Sequence, residues 1–189
     1  MKEIEVKLPV ADLARLRRQL RRLGLRPAAS RALERNLVLD TPALRLRRSG
    51  QLLRLRAKAG RWWLTWKGPA ETGRRHKVRP EVELEIRGGE RLARIFGQLG
   101  YRPVFEYQKY RAEFHARGGR GKAMLDETPI GNFLELEGAP GWIDRLARRL
   151  DFAPPDYILD SYSTLYLRWC DRHGVPPSDM VFPRKKSLR

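Results

Sequence analysis

At the start of the chain polar and apolar residues alternate one by one, Glu3, Glu5 and Lys7 against Ile4, Val6 and Leu8. A period of two marks a strand with one apolar and one polar face. In "VADLARLRRQLRRLG" the period changes. Leu13, Leu16, Leu20 and Leu23 form one stripe, Arg17, Arg18, Arg21 and Arg22 lie mostly off it, and Gly24 supplies the stop of an amphipathic helix. "ALERNLVLDTP" reads as a strand ending in an Asp-Thr-Pro turn, and "RRSGQ" as another turn. "LLRLRAK" and "RWWLTWKG" form a hairpin about Gly60-Arg61, with Arg54, Arg56 and Lys58 on one face and Leu53, Leu55 and Ala57 on the other.

The second half repeats these periods. A polar loop, "GPAETGRRHK", leads into "VRPEVELEIRGG", where Arg79, Glu81, Glu83 and Glu85 share a face and Pro80 puts Arg79 and Pro80 at the strand entrance. "GERLARIFGQLG" predicts a second helix with Leu92, Ile95, Phe96 and Leu99 inward. "PVFEYQKYRAEFHARGG" is a long strand carrying Lys109, Arg111 and Glu113 on the face of Phe105 and Tyr107. "KAMLDETPIGNFLELEG" gives two more strands about a Thr-Pro-Ile-Gly turn, with Asp126 on the first and Glu135 and Glu137 on the second. Helices in "GWIDRLARRL" and "SYSTLYLRW" follow. The basic, Pro-containing "HGVPPSDMVFPRKKSLR" is expected to be poorly ordered, so residues 1–171 are read as the domain and 172–189 as its tail.

One wet sheet face explains alternation on any single strand. Five strands, however, carry like charges spaced by two: Glu3/Glu5, Arg54/Arg56, Glu83/Glu85, Lys109/Arg111 and Glu135/Glu137. Same-face neighbours on a strand stand about 7 Å apart, so paired like charges repel unless a ligand of opposite charge joins them. If the sheet curls with its apolar side outward onto the helices, every charged row faces one lumen. There, carboxylates offer hard oxygen ligands for Mg²⁺ or Mn²⁺, while Arg and Lys grip phosphate oxygens.

Composition sharpens the ligand class. Forty Lys and Arg against 22 Asp and Glu give a net charge of +18, which favours polyanionic partners. The single cysteine, Cys170, excludes an internal disulfide and a multi-Cys zinc cluster; it reads as a buried thiol on an apolar helix face in a reducing compartment. With no signal-peptide pattern and no membrane-length apolar run, a cytoplasmic protein without a membrane partner is expected. A Walker loop and a G-x-S-x-G elbow are absent, and His76, His115 and His173 stand at no metal-ligand spacing. His76 reads as a solvated loop residue or a cover for the lumen. Trp62, Trp63 and Trp66 read as packing against helices or as a platform for a base.

In this order the motifs E-x-E-x-K (Glu3, Glu5, Lys7), R-x-R (Arg54, Arg56), Lys67 in "TWKGP", "HKVRPEVELE", K-x-R (Lys109, Arg111), Asp126 and E-x-E (Glu135, Glu137) resemble the CYTH superfamily, the triphosphate tunnel metalloenzymes, over residues 1 to about 170. The resemblance implies an α+β fold: an eight-stranded antiparallel β-barrel forming a tunnel, with amphipathic helices outside and a divalent metal and triphosphate inside. It implies metal ligation by Glu3, Glu5, Asp126, Glu135 and Glu137, with Glu83 or Glu85 helping to hold metal or water. Lys7, Arg54, Arg56, Lys67, Lys109 and Arg111 would bind the triphosphate, joined by Arg79 on the same face of its strand; which of Glu81, Glu83 and Glu85 match the family's acidic positions stays open.

Three functions compete. In the first, Mg²⁺- or Mn²⁺-dependent hydrolysis releases the terminal phosphate of tripolyphosphate, thiamine triphosphate or a nucleoside triphosphate such as ATP. A class IV adenylate cyclase would use the same lumen to make cyclic AMP and pyrophosphate, but needs a base pocket for which the sequence shows no signature. A non-catalytic polyphosphate- or RNA-binding module would need the charge but not the carboxylates, which only weaken polyanion binding. Hydrolysis is therefore preferred, nucleic acid is not the favoured partner, and a monomer or a homodimer is expected.

Overall fold

The computed structural model describes residues 2–183. Strands β1 (Lys2–Val10), β2 (Arg26–Asp40), β3 (Leu52–Lys58), β4 (Arg61–Lys67), β5 (Lys77–Ile86), β6 (Arg102–His115), β7 (Gly121–Thr128) and β8 (Gly131–Gly138) close into a barrel in the order β1-β5-β4-β3-β2-β6-β7-β8. All neighbouring pairs are antiparallel. Five helices surround it: α1 (Leu13–Arg22), α2 (Arg45–Arg48), α3 (Gly89–Gln98), α4 (Pro140–Arg149) and α5 (Tyr162–His173). This is the eight-stranded barrel with external helices that the motif series implies.

The period-two rows explain why the core lies outside the barrel wall. Val6, Leu8, Phe114, Leu125, Leu134 and Leu136 point outward and pack against Leu16 and Leu20 of α1 and Ile143 and Leu146 of α4. On the other flank Leu37, Leu39 and Leu55 meet Leu92, Ala93 and Phe96 of α3. Ile95 and Leu99, expected inward, are exposed, because α3 lays its 92–93–96 stripe on the β3–β4 hairpin. Gly89 starts that helix for a steric reason: a Cβ there would come 2.2 Å from the Trp62 ring.

Helix α5 does a different job. Tyr162, Tyr166 and Cys170 pack with Val38, Phe105, Tyr107 and Phe133, residues of the inward rows, so α5 closes one end of the barrel. Cys170 is buried there, as expected from the apolar helix face. The segment read as a poorly ordered tail is docked at least to Phe182: α5 runs to His173, Met180 exchanges backbone hydrogen bonds with Glu106 and Gln108 at 2.9 Å each, and Phe182 sits on Tyr110. Its signal was masked because the docking uses a free stretch of the β6 edge, a long-range backbone contact without sequence periodicity. Residues 184–189 of that segment lie outside the described residues.

Two local expectations change. The strand entrance is Lys77, not Arg79: Glu5 pairs with Lys77 and Glu3 with Arg79. Pro80 lies inside β5 where pairing passes from β1 to β4, and its carbonyl accepts from the Gly68 N–H at 2.9 Å, so the ladder tolerates a residue without an N–H. β2 begins at Arg26, before the segment with clear alternation, and register shifts against β6 between Pro27 and Ala32 blur its period.

Candidate functional site: a charged lumen

Rows from seven of the eight strands, all but β2, converge on a cavity of about 350 Å³. Its walls include Glu3, Glu5 and Lys7 of β1, Arg54 and Arg56 of β3, Lys67 of β4, Arg79 and Glu83 of β5, Lys109 and Arg111 of β6, and Glu135 and Glu137 of β8. Two candidates are placed elsewhere. Glu85 pairs with Arg61 at the exposed rim, and Asp126 lies fully buried behind the wall.

Glu81 also lines the cavity, so the acidic pair of β5 that faces it is Glu81/Glu83. Lys77, not among the predicted site residues, continues the Arg79 row backwards by two and reaches Glu5 Oε1 at 3.0 Å. Glu34 and Asn36, also not among them, form a spaced-by-two pair inside "ALERNLVLD" that points inward opposite Lys58 and Arg56. Ser161 and Tyr162 enter the site from the start of α5, where no strand period could announce them.

Most charges in the lumen lean on an opposite one, while Arg79 donates to the Gly68 carbonyl at 2.9 Å. Lys67 Nζ donates to both Glu3 oxygens at 2.5 and 2.6 Å, and Lys7 Nζ lies 2.9 Å from Glu135 Oε1. Arg54 donates to the Tyr107 hydroxyl at 3.0 Å and to Thr65 Oγ1 at 3.2 Å, while Arg56 donates to Glu83 at 2.8 Å. Asp126 is the hub of the far wall: it accepts from Arg111 at 2.6 and 2.5 Å, from Lys109 at 2.9 Å and from the Tyr162 hydroxyl at 2.6 Å. The Tyr162 ring lies under two of the cations, 4.7 Å from Lys7 Nζ and 4.9 Å from Lys109 Nζ to its centroid.

The electrostatics follow from this crowding. Burial and the nearby Glu5 push Glu3 up to about 7 despite Lys67. Burial also pushes Glu5 upward, but Lys7, Lys77 and Lys67 outweigh it and hold the carboxyl at about 2. Glu34, fully buried, is held at about 2 because Arg111, Lys109, Arg56 and Lys58 overcome its burial.

A folded-state value below the unfolded one stabilises the protein above the unfolded value and is lost as pH falls through the folded one. Glu34 should therefore cost stability as pH drops from about 4.5 towards about 2. Glu34→Gln is expected to lower stability at pH 7 by about 3 kcal/mol and to flatten this acid limb. Urea midpoints measured across that pH range check it; an unchanged acid limb would show that Glu34 is not the group titrating.

Among the described residues no three carboxylates already surround one point as a finished metal cage. The donor set nonetheless fits a hard cation: Glu3, Glu5, Glu81, Glu135 and Glu137 line one cavity and offer carboxylate oxygens from three strands. For a phosphate ligand there are spare donors as well. The Nε groups of Arg54 and Arg56 are buried without a hydrogen-bond partner among the described residues.

The histidine and tryptophans fall outside the lumen chemistry. His76 is buried rather than solvated, its Nε2 2.8 Å from Asp144 Oδ1, which also accepts from the Tyr157 hydroxyl at 2.9 Å. Trp62 packs under α3, Trp66 donates to Gln51 at 3.0 Å, and Trp63 stands between Arg56 and Arg61.

Residues 1–148 match the CYTH domain. A Methanocaldococcus jannaschii protein with the provisional name adenylate cyclase is 28% identical over 137 residues, 72% of this chain and 77% of its own. A crystal structure from Vibrio parahaemolyticus, also provisionally called an adenylate cyclase, superimposes with a TM-score of 0.76 at 20% identity, over 86% of this chain and 96% of that one. A Hippeastrum protein, described as an adenylyl cyclase candidate that reveals a dominant triphosphatase activity, gives a TM-score of 0.61 at 19% identity over 93% and 97%. With its domain match spanning most of the barrel and its strands closed in the same fold, the chain belongs to the CYTH family.

Proposed function

We propose that the lumen is the active site of a divalent-metal-dependent triphosphatase that releases the terminal phosphate of tripolyphosphate, thiamine triphosphate or a nucleoside triphosphate. The observation that carries this reading is the charge inventory of the wall: ten basic against seven acidic side chains around one cavity. The three surplus positive charges suit a triphosphate that arrives with a divalent cation better than either partner alone. A simple polyanion binder has no use for seven carboxylates.

Phosphoryl transfer asks the protein for positioning and charge neutralisation. Arg54 and Arg56, fixed by Tyr107, Thr65 and Glu83, present guanidinium edges to phosphate oxygens. Lys7, Lys109 and Arg111 do so from the opposite wall, held in place by Glu135, Asp126 and the Tyr162 ring. Glu3, Glu5, Glu135 and Glu137 would hold Mg²⁺ or Mn²⁺, which when bound supplies Lewis-acid charge neutralisation and a more acidic water.

The choice of hydrolysis over cyclisation rests on what the wall lacks. Its aromatic residues, Tyr107 and Tyr162, both have their hydroxyls committed, to Arg54 and Asp126, and its remaining apolar residues are Leu52 and Met124. Among the described residues the lumen thus offers a nucleobase little free stacking surface, which favours hydrolysis over placing a 3′-hydroxyl at the α-phosphorus. The relative with a dominant triphosphatase activity supports the same choice.

The test is product analysis. Protein is incubated with Mg²⁺ or Mn²⁺ and, separately, tripolyphosphate, thiamine triphosphate and ATP, and orthophosphate, pyrophosphate and cyclic AMP are quantified. Orthophosphate supports the triphosphatase and ranks its substrates; cyclic AMP with pyrophosphate replaces it by a cyclase; no product with either metal leaves a binding module. Within this scheme Arg54→Ala is expected to weaken triphosphate binding by about 2 kcal/mol, the loss of a charged hydrogen bond. Calorimetric titration checks it, and a turnover defect at unaltered affinity would contradict the role.

A further inference from the structure

A second concave site lies outside the barrel and shares no wall residue with the lumen. It is a cleft of about 480 Å³ between the end of α1, the β6–β7 hairpin and α4. Arg22, Arg117, Arg145 and Arg149 converge on it, Trp142 forms part of its wall, and among the described residues no acidic side chain lines it.

The arginines are exposed and, among the described residues, have no ion-pair or hydrogen-bond partner. Other exposed arginines, such as Arg18, Arg48 and Arg102, are likewise unpaired among the described residues, so what sets these four apart is that they come from three elements onto one concavity. Helix dipoles account for part of the cluster, since Arg22 and Arg149 fall in the last turns of α1 and α4. They do not account for Arg145, in mid-helix, or Arg117, in the hairpin turn. Four like charges gathered in a concavity are favourable only when an anion joins them, and guanidinium forks match phosphate oxygens.

Trp142 adds the second element. The Cε3–Cζ3 side of its ring packs close against backbone: a Cβ on Gly121 would come 2.5 Å from it and one on Gly138 3.1 Å. Trp142, Arg145 and Arg149 follow one another at helical spacings of three and four, so ring and cations share one stripe of α4. A flat ring surrounded by phosphate-binding groups suits a ligand with both a planar base and phosphates, and the volume is in the range of small-ligand pockets.

We infer that this cleft is a nucleotide-binding site, separate from the lumen, that holds the phosphates of a free nucleoside polyphosphate on Arg22, Arg117, Arg145 and Arg149 and its base against Trp142. The reading is independent of the chemistry assigned to the lumen.

The test is equilibrium dialysis of the full chain with Mg²⁺ and β,γ-imido-ATP, on the wild type, R145E/R149E and a lumen variant, R54A/R56A, each checked by circular dichroism. The cleft binding event should survive in R54A/R56A and weaken at least about tenfold in R145E/R149E, whose tripolyphosphate turnover stays at the wild-type level. R22A/R117A, on two other elements, should reproduce the loss if the first pair disturbs α4. Nucleotide binding unchanged by both cleft variants overturns the site. In R54A/R56A, equal affinity for tripolyphosphate and the nucleotide overturns the role of the ring, and binding of a 5′-phosphorylated oligonucleotide but not of the free nucleotide overturns the small-molecule assignment.

Discussion

Replacing Glu3 and Glu5 together by glutamine is expected to lower kcat by about 10³-fold or more while leaving the fold intact. Glutamine keeps the size of each side chain and an oxygen to accept from Lys67 and Lys77, which now reach Glu3 at 2.5 Å and Glu5 at 3.0 Å. What disappears is the ionised Glu5 carboxylate and the partly ionised Glu3 at the wall where a cation would be held. The lumen becomes more positive, so triphosphate affinity should hold or rise as turnover falls, a split that a merely damaged site would not show. Steady-state kinetics beside metal-free titration of tripolyphosphate measures both halves. Unchanged metal-dependent turnover in the double variant would remove Glu3 and Glu5 from the site.

The second large effect concerns stability. Asp126→Ala is expected to destabilise the fold by about 3–5 kcal/mol, because it strips a buried ion cluster of its counter-charge. Asp126 is fully buried and accepts from Arg111, Lys109 and the Tyr162 hydroxyl. Removing it leaves two cations and a phenol facing one another out of water. Asp126→Asn, which keeps an acceptor but not the charge, should fall between wild type and Asp126→Ala. Urea denaturation gives the numbers, and a loss below about 1 kcal/mol would mean that Asp126 is not the hub of that wall.

Glu3 and Glu5 differ from Asp126 in how far the sequence discloses their place. Glu3 and Glu5 were legible because β1 alternates cleanly, and a strand's side-chain direction follows from parity alone. Parity likewise placed Arg54, Arg56, Lys109, Arg111, Glu135 and Glu137 on one side of their strands, and the structure brings all of them to the cavity. Depth is not a matter of parity. Asp126 shares its row with Met124 and Lys122, yet lies one step further into the closed end, behind Lys109 and Arg111.

At the open end the same row logic overshoots, leaving Glu85 at the rim with Arg61. Tyr162 and the docked segment around Met180 were invisible for another reason. They reach their partners through helix placement and a single isolated bridge, which leave no period behind. Glu34 was legible in principle, two residues before Asn36 on a recognised strand, but one acid beside one amide does not make the like-charge pair that drew attention elsewhere.

In the proposed reaction water attacks the terminal phosphorus of a triphosphate held in this lumen. The most direct measurement is turnover of tripolyphosphate with Mn²⁺ in ¹⁸O-labelled water, with mass spectrometry of the phosphates released. Label is expected in the orthophosphate at a rate that collapses in the Glu3→Gln, Glu5→Gln double variant. Label appearing at the wild-type rate in that variant, or no hydrolysis of tripolyphosphate beside conversion of ATP to cyclic AMP, would contradict that reaction.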